Sequence, residues 1–412
     1  CSSDLTDSAF LTSFIDYDDQ SATLVVRSRD PGIVTPPGSP PPIFVRASET
    51  PNQSATAGAL DGLDQTVGSQ SLALYNAILF SNAPNARAAF DQLSGEASAS
   101  VRGALVDGSG ASRGAVLSRL NGVFGVVAQG SDGPVGEGRF LSSGFWADGF
   151  GAVGRADGNG NAARADRDAG GIFLGGDTAI TSDATLGLFG GYSHGWLDTR
   201  GSSAEVDTIH AGAYGGAAFG SLEILAGAAY AWNSVDVRRE VAFPGFSDTL
   251  SASYDADVAQ VFGEIGYRTE LGGVGVKPFA GIAYVHLDAD GFTERGGAAR
   301  LTTNAGSSET VFTTLGLRAD HSMTVAGREL LLRGMAGWRH ASGDTTPSVT
   351  SAFLTGLPFT VEGASLSKNA AVLEAGFSTQ LLPNLSFDVD YVGLFGEDGM
   401  DNGLRLGISS RF

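Results

Sequence analysis

The most informative segment of the sequence is Leu404-Arg-Leu-Gly-Ile-Ser-Ser-Arg-Phe412. Positions 404, 406, 408 and 412 are apolar, while positions 405 and 411 are arginines. Alternation with a period of two predicts a β-strand that has one apolar and one polar face. A final strand of this kind that ends in an aromatic residue is typical of bacterial outer-membrane barrels. If the chain forms such a barrel, the same alternation should recur upstream.

The composition favours a barrel over other classes of protein. Glycine accounts for 60 of 412 residues and charged residues for 17%, whereas about 7% glycine and about 25% charged residues are usual. The mean hydropathy is only +0.05, and no run approaches the ~20 apolar residues of a spanning helix. Alternating lipid-facing and lumen-facing residues produce this balance. The net charge of −20 argues against nucleic acid as a partner, because phosphates would be repelled.

Alternating segments recur from about residue 142 to the end of the chain. We count twelve, and in nearly all of them an apolar face predicted to contact lipid can be assigned. In one example, Val261 and Ile265 point outward and Glu264 inward. The charged residues predicted to face the lumen are Glu264, Arg268, Arg318, Arg333, Arg339, Glu374, Asp388, Asp390, Arg405 and Arg411. Tyrosine and tryptophan recur at the ends of the apolar stripes, where membrane-interface girdles belong.

These segments predict an all-β transmembrane barrel of twelve antiparallel strands. Backbone groups in lipid must all be paired, so the sheet must close on itself. An even strand count places both ends of the barrel sequence on one side of the membrane. A soluble β-sandwich also alternates, but it would not repeatedly pair an uncharged apolar face with aromatic residues at its ends.

Two further regions are predicted ahead of a barrel domain at 136–412. Residues 1–45 contain two short strands, near 10–17 and 23–27, followed by a proline-rich linker; residues 1–5 resemble the translated end of a sequencing adapter and are interpreted as an artefact. Residues 46–135 have helical spacing. For 46–100, a linker and a small soluble bundle remain open as alternatives.

A helix over 112–121 is predicted to occupy the lumen. It is small and sparsely apolar, so it suits a polar channel, and twelve strands enclose more space than the ~8 strands that side chains alone can fill. The residues assigned to this pore helix are Arg113, Val116, Arg119 and Asn121. We expect its two arginines to pair with inward acids such as Glu264, Glu374, Asp388 or Asp390.

Several passages resemble the autotransporter family of Gram-negative bacteria (type V secretion). They are Asp91-Gln-Leu-Ser-Gly-Glu96, Gly144-Phe-Trp-Ala-Asp-Gly-Phe-Gly151, Asp157-Gly-Asn-Gly-Asn161 and the terminal Arg411-Phe412. The resemblance implies an outer-membrane translocator that exports and anchors its own N-terminal passenger at the cell surface. It also implies that the strands at 6–27 are a remnant of a β-helical passenger.

The resemblance further implies partners for the barrel: outer-membrane lipid, the outer-membrane assembly machinery and periplasmic chaperones. Phe412, with Ile408, Leu406 and Leu404 of the same strand, is the implied assembly signal. Two alternatives stay open. One is a fragment of a surface adhesin whose extracellular loops bind host or matrix, and the other is a passive porin.

No catalytic constellation stands out, so we expect no enzyme activity, cofactor or metal in this chain. The five histidines lack metal-ligand spacing. The G-x-S-x-G pattern occurs at 110–114 and 191–195, but neither place has the strand-to-helix turn that a nucleophile elbow needs. Some autotransporters cleave themselves at an asparagine in the pore helix. Asn121 is the candidate for such cleavage, and otherwise a structural residue at the end of the helix.

Overall fold

The computed structural model describes residues 7–29, 42–126, 143–325 and 327–411. The predicted adapter residues 1–5, nearly all of the proline-rich linker and Phe412 lie outside these ranges.

Two short strands and five helices precede the barrel. The strands form an antiparallel hairpin in which Phe14 lies opposite Val25. The bounds are β1 Leu11–Tyr17, β2 Ala22–Ser28, α1 Pro51–Asp61, α2 Leu72–Leu79, α3 Ala83–Leu93, α4 Glu96–Gly108 and α5 Gly110–Val126. Thr50 and Asn82 cap α1 and α3, each accepting a backbone N–H with its side chain. In the described residues, no helix is both long and apolar enough to cross a membrane.

In the part of the chain that the structure describes, seventeen strands follow, and twelve of them are long. Their bounds are β3 Gly144–Ala156, β4 Ala165–Ala179, β5 Ala184–Thr199, β6 Ser202–Phe219, β7 Leu222–Phe243, β8 Phe246–Tyr267, β9 Thr269–Leu271, β10 Val274–Ala289, β11 Phe292–Thr293, β12 Leu301–Thr303, β13 Gly306–Val325, β14 Arg328–Gly343, β15 Ser348–Phe353, β16 Phe359–Glu362, β17 Asn369–Leu382, β18 Leu385–Gly396 and β19 Gly399–Ser410.

The long strands close into a barrel. Each pairs antiparallel with its neighbours in the chain, β10 pairs with β13, and β19 pairs with β3, where Leu404 lies opposite Gly151. The short β9 continues β8. Pairing of the first and last long strands removes every free edge, so the backbone is satisfied within lipid. The predicted twelve-strand antiparallel barrel is confirmed.

The barrel has two unlike ends. We call the end that carries the tight turns 220–221 and 383–384 the turn end; β3 begins there and β19 finishes there. The opposite end, here the loop end, carries the two longest connections, 290–305 and 344–368. Strands β11, β12, β15 and β16 lie in these connections and form a separate four-stranded sheet.

Apolar residues cover the outside of the barrel. Among the predicted lipid-facing residues that are exposed are Ile172, Leu188, Ile209, Val261, Ile282, Leu315, Trp338, Leu373, Leu404, Leu406 and Ile408. Their exposure is what a lipid-facing surface requires.

The inner wall pairs aromatic rings with glycines. Tyr214 lies directly opposite Gly187, and Phe262 opposite Gly227. The same arrangement holds for Trp146–Gly175, Phe173–Gly191, Phe189–Gly212 and Phe279–Gly316. In each pair, a Cβ on the glycine would clash with the ring. These six glycines therefore make room for aromatic side chains in the lumen.

Helices α1 to α3 form a cap on the loop end. Their buried residues, including Leu60, Ile78 and Phe90, share one core with Val241 of β7 and Phe353 of β15. Residues 42–95 are thus packed on the loop-end strands and do not form a bundle with a core of their own. Phe10, next to the hairpin, also enters this core and packs edge-on against Phe44 at 5.0 Å.

Candidate functional site: the barrel lumen and its helix

Helix α5 lies inside the barrel. Val116 and Leu120 are fully buried, and Phe124 packs against the wall beside Gly216. The helix is longer than the predicted 112–121, and α4 continues it towards the loop end with a break at Ser109.

A bidentate ion pair ties α5 to the wall near the turn end. The Arg119 guanidinium donates to both carboxylate oxygens of Asp177 on β4, at 2.8 and 2.9 Å. Tyr214 donates to the same carboxylate at 2.9 Å, and the Trp146 indole donates to the tyrosine hydroxyl at 2.6 Å. A buried charge is tolerated when it is fully paired in this way. None of the four predicted acids is the partner of Arg119.

Arg113 pairs with no carboxylate among the described residues. Its guanidinium donates to the Gln260 side-chain oxygen at 2.7 Å and lies 5.5 Å from the centre of the Phe312 ring. Gln260 in turn donates to the Ser109 carbonyl and the Ser112 hydroxyl. The prediction of an acidic partner was wrong because the rotation of the helix aims this arginine at β8, where the inward residue is an amide.

Helix α4 carries an anchor that the sequence reasoning missed. Asp107 accepts from Arg167 of β4 at 2.6 Å and lies 3.1 Å from Arg339 of β14. Arg167 also bonds Asp401 at 2.7 Å. The available signal was Asp107 itself, an acidic residue near the end of a helix rich in small residues, since such a carboxylate needs a cation inside a barrel.

Asn121 faces a buried charged cluster. Its side-chain oxygen accepts from Lys277, which also pairs with Glu223 at 2.9 Å and lies 3.5 Å from Glu264. Its amide donates to the Leu117 carbonyl. Because α5 continues to Val126, Asn121 is not at the end of the helix, so that interpretation was wrong.

Most other predicted lumen residues form ion pairs across the wall. Arg405 forms a bidentate pair with Asp148, and one nitrogen of Arg268 (Nη2) contacts both carboxylate oxygens of Asp320 at 2.9 Å. The remaining ones are Arg318–Glu264 at 2.6 Å, Arg333–Asp390 at 2.9 Å and Arg333–Asp388 at 3.2 Å. Arg411 lines a smaller space near the turn end, and Glu374 lines the main lumen cavity.

The terminal strand sits at the seam of the barrel. Leu404, Leu406 and Ile408 face outward, opposite Gly151, Gly149 and Ala147 of β3. The strand thus presents an apolar face to lipid, while Arg405 points into the lumen.

In the second G-x-S-x-G motif, at 191–195, the serine contacts a histidine. The Ser193 hydroxyl lies 2.8 Å from Nε2 of His210, which packs edge-on against Phe173. A hydrolase would also need a carboxylate on the far ring nitrogen and free N–H donors. The described residues supply no such carboxylate, and the strand N–H groups belong to the ladder. The described residues also contain no group of three or more His, Cys, Asp or Glu side chains that could hold a metal ion.

A closed twelve-strand barrel with lipid-facing apolar residues and a helix held in its lumen defines an outer-membrane translocator barrel. The chain belongs to the autotransporter family: the profile of the autotransporter beta-domain matches residues 145–392. Translocators of this family reside in the Gram-negative outer membrane and export a passenger.

Two relatives of this chain are named as proteases. Two proteins from Serratia marcescens, each named extracellular serine protease, are 34% identical over 272 residues and 31% identical over 375 residues. The matches cover 66% and 90% of this chain but only 26% and 35% of the relatives. The chain therefore spans about a third or less of these proteins.

Solved structures agree on the fold. The translocator domain of NalP from Neisseria meningitidis aligns with a TM-score of 0.56 at 15% identity, covering 74% of this chain and 98% of that one. The AIDA-I transport unit from Escherichia coli aligns with a TM-score of 0.50 at 18% identity, covering 71% and 98%.

Proposed function

We propose that helix α5 is the trailing segment of an exported chain and closes the pore once export is complete. The path of the chain carries the proposal: the cap lies at the loop end, α4 and α5 lead through the lumen, and β3 starts at the turn end. Asp107 of α4 and Arg119 of α5 each form an ion pair with the barrel wall, so the two helices are held at two levels along the lumen. These contacts favour a fixed plug over a helix that slides.

Single-channel conductance in planar bilayers tests the plug. Deletion of residues 112–125 should raise the conductance, because the helix occupies part of the lumen. Deletion of the β1–β2 hairpin, which lies outside the barrel, should leave the conductance unchanged. Equal conductance in the two deletions would contradict the plug.

The passenger that this barrel exports is, on the names of the Serratia relatives, a serine protease whose catalytic residues lie outside this chain. Expression of the whole reading frame should give surface proteolysis that a serine-directed inhibitor abolishes. Binding of matrix without proteolysis would instead favour the adhesin alternative.

Assembly of the barrel, in this proposal, depends on Phe412 as a signal to the assembly machinery, with periplasmic chaperones delivering the unfolded chain. Phe412→Ser should reduce the heat-modifiable, folded form in outer-membrane fractions. Arg411→Ser, one residue earlier, is the matched control. Equal assembly of the two variants would rule out the signal.

Self-cleavage at Asn121 is the second candidate function. The observation in its favour is the side-chain amide held by Lys277, next to Glu223 and Glu264. Mass analysis of membrane fractions decides it: cleavage predicts two fragments in the wild type and an intact chain in Asn121→Ala. An intact wild-type chain would exclude it.

A further inference from the structure

A cavity of about 410 Å³ lies in the lumen between helices α4 and α5 and the barrel wall. The helical side contributes small residues, among them Gly108, Ala111 and Gly114, and so leaves the space unfilled. The volume falls within the ~300–1,000 Å³ range of small-molecule sites.

Much of the cavity wall is apolar. Val258, Phe262, Ala283 and Phe312 line it from strands β8, β10 and β13. The lumen of outer-membrane barrels is ordinarily polar. An apolar wall holds water weakly and favours an apolar occupant.

Most charges on the lining are already paired with opposite charges; Arg113, which lines the cavity without a carboxylate partner, donates to the Gln260 side-chain oxygen at 2.7 Å. Arg318 bonds Glu264 at 2.6 Å, and Arg405 bonds Asp148, which lies outside the cavity lining, at 2.9 Å. Arg167 is held between two carboxylates. Because Arg318, Arg405 and Arg167 are already in ion pairs, they are poorly placed to bind a ligand.

Glu374 is different. It lies on β17, inward-facing and partly exposed to the cavity, opposite Met335 and Val392. Within the described part of the chain, no hydrogen bond or ion pair reaches its carboxylate. The cations that act on it are Arg318 and Arg405, each bonded to another acid. An ionisable side chain at membrane depth that no counter-ion bonds directly is costly to bury, and such residues generally mark functional sites.

We propose that this cavity binds an organic cation with an apolar body, for which Glu374 supplies the counter-charge. The apolar wall would desolvate the body of the ligand and so strengthen its attraction to the carboxylate. Binding at this site is separate from the export function.

Isothermal titration calorimetry with benzyltrimethylammonium tests the site, with the whole chain in lipid nanodiscs and empty nanodiscs as background. We expect one saturable site per barrel. Glu374→Gln, which preserves the shape of the side chain, should weaken binding at least tenfold. Neopentylbenzene, the neutral isostere, should bind at least tenfold more weakly than the cation.

A cavity-filling variant and its control locate the site. Gly281 faces the cavity, and an added Cβ there would meet only ordinary contacts at 3.5 and 3.9 Å, so Gly281→Leu should fill the space and abolish binding. Gly149→Leu adds the same side chain on the lipid face and should bind as the wild type does. Heat-modifiable migration verifies that each variant is folded; if Gly281→Leu is not, Gly108→Leu fills the cavity from the helix side.

Heat evolved equal to that of empty nanodiscs, or equal affinity in wild type and Glu374→Gln, would overturn the proposal. Surface display of the passenger should be the same in all variants, so failure of this site and failure of the translocator function are distinguishable.

Discussion

Arg119 of helix α5 and Asp177 of strand β4 form a bidentate ion pair in which the carboxylate side chain has no exposed surface and the arginine only 7%. The pair joins the helix in the lumen to the barrel wall. If α5 closes the pore as proposed, the same pair is the contact that holds it closed.

Arg119→Met should destabilise the folded chain by about 3–5 kcal/mol, because it leaves the Asp177 charge buried and unpaired. The heat-modifiable transition on gels measures the loss, and open-channel noise should increase as the helix loosens. Adding Asp177→Asn should restore part of the stability, since no buried charge then remains. Arg164→Met is the control: its pair with Asp166 is exposed to solvent, so this substitution should leave the transition nearly unchanged.

The cap should depend on Arg239. This buried residue pairs with Glu294 and donates to the carbonyls of Gln92 and Ala299, so it joins α3 to the loop-end strands. Arg239→Ala should destabilise the cap by about 3–5 kcal/mol and speed proteolysis within residues 42–95. Arg238→Ala, on the exposed face of the same strand, should leave the digestion pattern unchanged. Equal digestion of both variants would show that the cap does not rely on this anchor.

Glycines opposite aromatic rings should resist substitution. A Cβ on Gly227 would lie 2.5 Å from the Phe262 ring, so Gly227→Ala should destabilise the barrel by about 1–3 kcal/mol. At Gly151 nothing lies within 4 Å, and Gly151→Ala should be nearly neutral. Refolding yields in lipid vesicles, compared between the two, check the difference.

The stability of the cap should depend on Asp61. Burial raises the pKa of this carboxyl. The hydrogen bonds that it accepts from the backbone N–H groups of Phe44 and Ile43 lower the pKa, but their effect is smaller. Because the folded-state pKa is the higher one, the contribution of Asp61 to stability is complete below the unfolded pKa. It is lost as the pH rises through the folded pKa. Hydrogen exchange of α1 at pH 4 and pH 7 should show this loss in the wild type and not in Asp61→Asn.

Local pattern was enough for the faces of the barrel. Side chains in a strand alternate between two sides, so the outward position of Leu406 and the inward position of Arg405 follow from the sequence alone. The same rule places Val261 outside and Glu264 inside. Twelve repeats of that rule, with closure required by lipid, determine the class of fold.

The contacts that side chains form inside the lumen could not be predicted from strand alternation. Arg119 meets Asp177 and Arg113 meets Gln260 because strand register and helix rotation bring together residues that are 58 and 147 positions apart. The cap core, shared between α1 to α3 and the loop-end strands, depends on the same long-range packing. Alternation within a strand specifies a side of the sheet, whereas the identity of a contact across the lumen depends on the closed ring. Strand alternation therefore defines the barrel, whereas the contacts that hold the helix inside it form only through long-range packing.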